Sequence, residues 1–116
     1  MFDQDHRKFS RFSAKCSLTL WQGGGYGTIM TNTVNIGEGG ILVNLDYGLM
    51  IGAKVEIRMN LSNGMSFESN GHISRCTQFR KSADNAHEFF AVAIEFEGLN
   101  EQQKTTIKTI IKDFLN

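Results

Sequence analysis

Arg7 and Arg11, in the run Arg7-Lys8-Phe9-Ser10-Arg11, are the first side chains whose type and spacing could do chemistry. On an extended segment rising ~3.3 Å per residue they fall on one side of the chain, roughly 13 Å apart. A guanidinium is planar, permanently charged and forked, so it grips a phosphate or the O6/N7 edge of guanine with two hydrogen bonds and also stacks on a base. The second informative segment is Asn35-Ile36-Gly37-Glu38-Gly39-Gly40. Asn35 offers a donor and an acceptor to a purine edge, while the glycines permit positive φ and let backbone amides approach a ligand. Together the two segments suit a guanine nucleotide. Each also has a plainer reading. The arginines suit a solvated arm, and the glycines a tight turn that would itself shape a site.

Other chemistries find little support. His6, His72 and His87 are scattered, with no helical histidine pair, cysteine pair or acidic calcium loop, so no metal site is expected. Gly23-Gly24-Gly25 lacks the lysine and hydroxyl residue of a phosphate-binding loop and precedes a strand signal, which makes it a hairpin turn. Ser10, Ser13, Ser62 and Ser66 have no glycine-flanked elbow around them. The chain therefore reads as a binding protein and not an enzyme. Cys16 and Cys76 are expected as buried free thiols.

Bulk properties narrow the class further. A chain of 116 residues, 41% hydrophobic and 21% charged, fits one globular domain. Its net charge of zero gives it no overall attraction for DNA, RNA or an anionic membrane, so none of these is an expected partner. No apolar run follows the N-terminal charges and none reaches the ~18 residues of a membrane helix, which leads to a cytoplasmic expectation without membrane insertion. Charge is nevertheless uneven. Arg7, Lys8, Arg11 and Lys15 are the only charged side chains between His6 and Gly37, and acids return from Glu38 onward.

These residues need elements to position them. Residues 1–12 form a polar segment without periodicity, read as a flexible arm bearing the two arginines, and 13–116 read as a single domain. Ala14, Cys16, Leu18 and Leu20 alternate with polar residues as in a half-buried strand, and Tyr26 to Asn35 returns as its hairpin partner. Ile41-Leu42-Val43 forms a short buried strand after the glycine segment, and Val55, Ile57, Met59 and Leu61 alternate again before an Asn63-Gly64 turn. Met65 to Phe79 reads as a long strand in which Gly71 marks a bulge or a close backbone approach. Phe90, Val92, Ile94 and Phe96 form the last strand. Asn100 and Gln103 then have capping-box spacing before a helix with Ile107, Ile110, Ile111 and Phe114 on one side. The plan is mainly β (α+β), with about six antiparallel strands and a C-terminal amphipathic helix.

Arg7, Arg11, Asn35 and Gly40 match an RxxxR motif followed at a distance by (D/N)xSxxG, and in this the chain resembles PilZ domains. Gly71-His72-Ile73 and the segment from Phe90 to Phe96 resemble that family's later strands, so the likeness extends over nearly the whole chain. The resemblance implies a bacterial six-stranded antiparallel β-barrel that binds cyclic di-GMP as its ligand, without a cofactor, and passes a change in its arm to a downstream protein. Arg7 and Arg11 would hold guanine and phosphate, Asn35 would meet a base edge, and Gly40 would supply the turn. Gly37 occupies the usual serine position, so one hydroxyl contact worth ~1–3 kcal/mol is missing. Ala93 replaces a glycine of the family's last strand, a change read as affecting packing more than ligand chemistry. Ser74 or Arg75 lies where the family can place a side chain against a base, and for Arg75 a solvent-facing strand arginine is the plainer reading. The alternative is a degenerate domain that acts as a protein-interaction scaffold without nucleotide.

Overall fold

The computed structural model describes residues 14–22, 25–61, 64–80 and 88–115, with residues 21, 22, 25, 26, 80, 114 and 115 as backbone only. Six strands and a helix follow one another as β1 (Lys15–Gln22), β2 (Gly25–Ile36), β3 (Gly40–Leu45), β4 (Lys54–Asn60), β5 (Ser66–Arg80), β6 (Glu88–Glu97) and α1 (Glu101–Leu115). Every neighbouring pair is antiparallel, and the sheet closes as a barrel in the order β1-β2-β3-β6-β5-β4, with β4 returning to β1. The six antiparallel strands and the C-terminal helix are those the strand signals predict, and their closure is the barrel the resemblance implies.

Closure turns period-2 patterning into an inside and an outside. In β4, Val55, Ile57 and Met59 are buried while Lys54, Glu56, Arg58 and Asn60 are exposed. Cys16, Leu18 and Leu20 of β1, Ile41 and Val43 of β3, and Val92 and Ile94 of β6 meet them in one core. Gly71 makes the expected close backbone approach, since a Cβ there would lie 2.5 Å from the Glu95 carbonyl oxygen. The bulge in that strand comes later, with the register shifting between Ile73 and Arg75. Cys16 is buried as expected, whereas Cys76 is only half-buried.

The helix begins where the capping residues predict. The Gln103 N–H donates to Asn100 Oδ1 and the Asn100 N–H donates to Gln103 Oε1, both at 2.8 Å, so two otherwise unpaired donors of the first turn are satisfied. Gln103 Nε2 also donates to the Glu68 carbonyl of β5 at 2.8 Å and ties the helix start to the barrel. One turn on, Ile107 and Ile110 are buried in the barrel core, each contributing ~1.5–3 kcal/mol through the apolar surface it removes from water. Phe114, predicted on the same side, has its side chain outside the described residues.

Candidate ligand cleft on the barrel wall

Asn35, Gly37, Gly40 and Arg75, far apart in the chain, line one cleft on the outer wall where β2, β3, β6 and β5 lie side by side. One register row crosses all four strands. Asn35 faces Leu42, Leu42 faces Ala93, and Ala93 faces Arg75. Three strand spacings of ~4.8 Å set the Asn35 and Arg75 backbones roughly 14 Å apart. Between them the half-buried Leu42 and Ala93 form a low apolar floor. Two residues along β6, Glu95 pairs with Gly40 on one side and His72 on the other. The cleft measures about 630 Å³, within the ~300–1,000 Å³ usual for small-molecule sites.

Two β-bulges bring the polar ends of this row to the outside. Regular alternation in β2 would place Asn35 on the inner face with Thr33, which is buried and donates its N–H to the Ala14 carbonyl at 3.0 Å. The register slips at Val34 instead. Thr33 faces Val43 inside, Asn35 faces Leu42 outside, and Ile36 turns inward against Ile41. In β5, alternation from Gly71 and Ile73 would drive Arg75 into the core, where an unpaired guanidinium is strongly disfavoured. The bulge at Ser74 reverses the phase, leaving Arg75 exposed opposite Ala93 and turning Cys76 toward Val92. Ser74 Oγ donates to the Ala93 carbonyl at 3.1 Å and ties the bulge down. Re-aiming a side chain is a recognised use of such bulges.

The predicted residues differ in what they can still offer. Asn35 Oδ1 accepts from the Ile36 N–H at 2.8 Å, so the expected donor and acceptor pair narrows to a site dominated by the Nδ2 donor. Gly37 N–H donates to the Gly40 carbonyl at 2.9 Å and closes the turn. An added Cβ at Gly37 meets nothing within 4 Å, whereas at Gly40 it would collide with the Ile94 carbonyl oxygen. Gly40 is thus required by the close approach of β3 to β6. Arg75 is exposed and forms no ion pair among the described residues. Arg7, Arg11 and the rest of the 1–12 arm lie outside the described residues. Ala93, read as affecting packing more than ligand chemistry, is half-buried and lines the cleft. Leu42 and Glu95 were not singled out from sequence, although they occupy the outward phase of strands whose inward phase is apolar.

A chain of ionisable side chains borders the cleft. His72 places Nδ1 2.7 Å from Glu97 Oε2 and Nε2 3.3 Å from Glu95 Oε1. Lys54 Nζ meets both Glu97 oxygens at 3.1 and 3.2 Å. Hydrogen bonding from Lys54, and then from His72, holds the Glu97 carboxyl below the usual carboxylate range. A second depression of about 600 Å³ lies beside the helix, lined by Thr19, Thr28, Glu56 and Asn70 among others. Arg58, which lines it, is already paired with Glu68 at 2.9 Å, so the depression suits an anionic ligand less well than the cleft, where Arg75 has no such partner among the described residues.

Comparison with known proteins agrees with this architecture. The PilZ domain family model matches residues 5–113. Among solved structures, the PilZ domain of YcgR from Escherichia coli, determined with c-di-GMP, superposes with a TM-score of 0.71 at 14% identity, covering 88% of this chain and 81% of that one. The Bacillus subtilis inhibitor of motility MotI/DgrA gives 0.65 at 19% identity over 91% of this chain and 49% of that one. The apo structure of K. pneumonia MrkH gives 0.73 at 12% identity over 99% of this chain and 53% of that one, so the chain spans about half the length of these last two proteins. No curated protein matches it by sequence. With the family pattern running through all six strands and most of the helix, and the barrel superposing on solved members, the chain belongs to the PilZ domain family.

Proposed function

We propose that the chain is a cyclic di-GMP receptor domain acting in the bacterial cytoplasm, binding the dinucleotide without transforming it. The observation that carries this reading is the row from Asn35 to Arg75. It is an apolar floor wide enough for a base, bounded by an amide donor and a guanidinium unpaired among the described residues, with the Gly37–Gly40 turn beside it. Stacking over Leu42 and Ala93 would seat a guanine, while Arg75 and Asn35 Nδ2 would donate to its O6 and N7 acceptors or to phosphate. Arg7 and Arg11 would close over the ligand from the arm, and a downstream protein would read the arm's new position. The c-di-GMP held by the YcgR PilZ domain, and the description of MrkH as a c-di-GMP-dependent transcription regulatory factor, support the ligand class.

Calorimetric titration with cyclic di-GMP at physiological salt tests the proposal. Micromolar or tighter binding is expected, collapsing in Arg7→Ala and Arg11→Ala, with slower amide exchange over residues 1–12 in the bound state. Undetectable wild-type binding would overturn it. The scaffold reading, favoured by glycine at position 37, would then take its place.

A further inference from the structure

We infer that Glu95 is a specificity residue of this cleft, reading the N1–H and 2-amino donors of guanine. The inference rests on the proposed cyclic di-GMP site and adds to it a residue outside the arginine and glycine motifs. The donors already assigned to the cleft, Arg75 and Asn35 Nδ2, can address only acceptors. Guanine presents acceptors at O6 and N7 and donors at N1 and the 2-amino group, so a site built from Arg75 and Asn35 alone would read half of the base. Asn35 Oδ1, the natural acceptor, is engaged by the Ile36 N–H. Glu95 supplies what is lacking. Its carboxylate accepts only, it lines the same cleft, and it stands two residues from Ala93 on the outward phase of β6, opposite Gly40, which has no side chain to cover it.

His72 also stands beside the carboxylate. His72 Nε2 lies 3.3 Å from Glu95 Oε1, and Glu97 anchors the other ring nitrogen at 2.7 Å while Lys54 anchors Glu97 at 3.1 Å. An exposed carboxylate has two oxygens with two lone pairs each, so both oxygens remain able to accept from N1–H and the 2-amino group with His72 alongside. Against adenine the same carboxylate would face the lone pair of N1, a repulsive contact that rejects the wrong base as effectively as the paired donors accept the right one.

The test titrates wild type, Glu95→Gln and Glu56→Gln with cyclic di-GMP and with its hypoxanthine counterpart, which lacks only the 2-amino groups. Melting temperatures establish that each variant is folded. Wild type and Glu56→Gln should prefer guanine by about tenfold or more, as loss of a hydrogen bond to a charged group implies. In Glu95→Gln, affinity for cyclic di-GMP should fall by a similar factor and the preference should shrink toward one. An unchanged preference in Glu95→Gln, or an equal loss for both ligands, would overturn the inference and leave the receptor reading standing. Absence of wild-type binding to cyclic di-GMP would overturn both.

Discussion

Gly37 and Gly40 bracket a single turn yet carry different burdens, and substitution separates them. An added Cβ at position 37 enters open space, while at position 40 it strikes the Ile94 carbonyl, a backbone group unable to move aside without disturbing the β3–β6 ladder. Gly37→Ser is therefore expected to leave the melting temperature unchanged and to tighten cyclic di-GMP binding by about 1–3 kcal/mol through the added hydroxyl. Gly40→Ala is expected to destabilise the barrel by about 1–3 kcal/mol, the cost of overpacking, whether or not ligand is present. Denaturant melts paired with calorimetry would resolve the two. A destabilised Gly37→Ser or an unaffected Gly40→Ala would contradict this division. The motif's glycines are legible in sequence, but their separate duties are not, because the duty of Gly40 depends on a strand more than fifty residues later.

At the scale of elements, the helix is governed by its start and the site by its bulges. The reciprocal Asn100–Gln103 bonds satisfy two N–H groups of the first turn, and Gln103 reaches the Glu68 carbonyl as well. Asn100→Ala should lower stability by about 0.5–2 kcal/mol, measurable as an earlier urea midpoint at unchanged m-value. A change in m would mean instead that the helix had detached from Ile107 and Ile110's place in the core. The capping residues are readable from the chain because their partners lie three positions apart. The bulges at Val34 and Ser74 are not, since strict alternation in β2 and β5 would send Asn35 and Arg75 inward. What forces the slip is the need to bury Ile36 and to keep a guanidinium in water, a balance settled only when neighbouring strands are in register.

The closed barrel as a whole sets the environment of its interior. Cys16 faces the core with no exposed surface, and burial there pushes its thiol from 9.0 up to about 12. Because this folded-state value is raised, the unfolded chain ionises first. Relative to a Cys16→Ala variant, wild-type stability should hold below about pH 9 and decline as pH rises toward about 12. Chemical denaturation of both proteins across that range gives the difference directly. A constant difference would show that the thiol is hydrated in the native state. The same closure gathers β2, β3, β6 and β5 into the wall that carries the cleft, although β3 and β6 are separated in sequence by β4 and β5.

The order and type of the elements, the helix cap, the inward faces of β1, β3, β4 and β6, and the segment around Asn35 and Gly40 were all determined by the sequence itself. Alternation, capping and turn formation are local, with each signal and its partner within a few residues. The apolar floor of Leu42 and Ala93, the outward turn of Asn35 and Arg75, and the line from Lys54 through Glu97 and His72 to Glu95 were decided only by the tertiary structure. Each depends on which strands become neighbours and in what register, and in a barrel those pairings are fixed by closure and burial acting together across the whole chain.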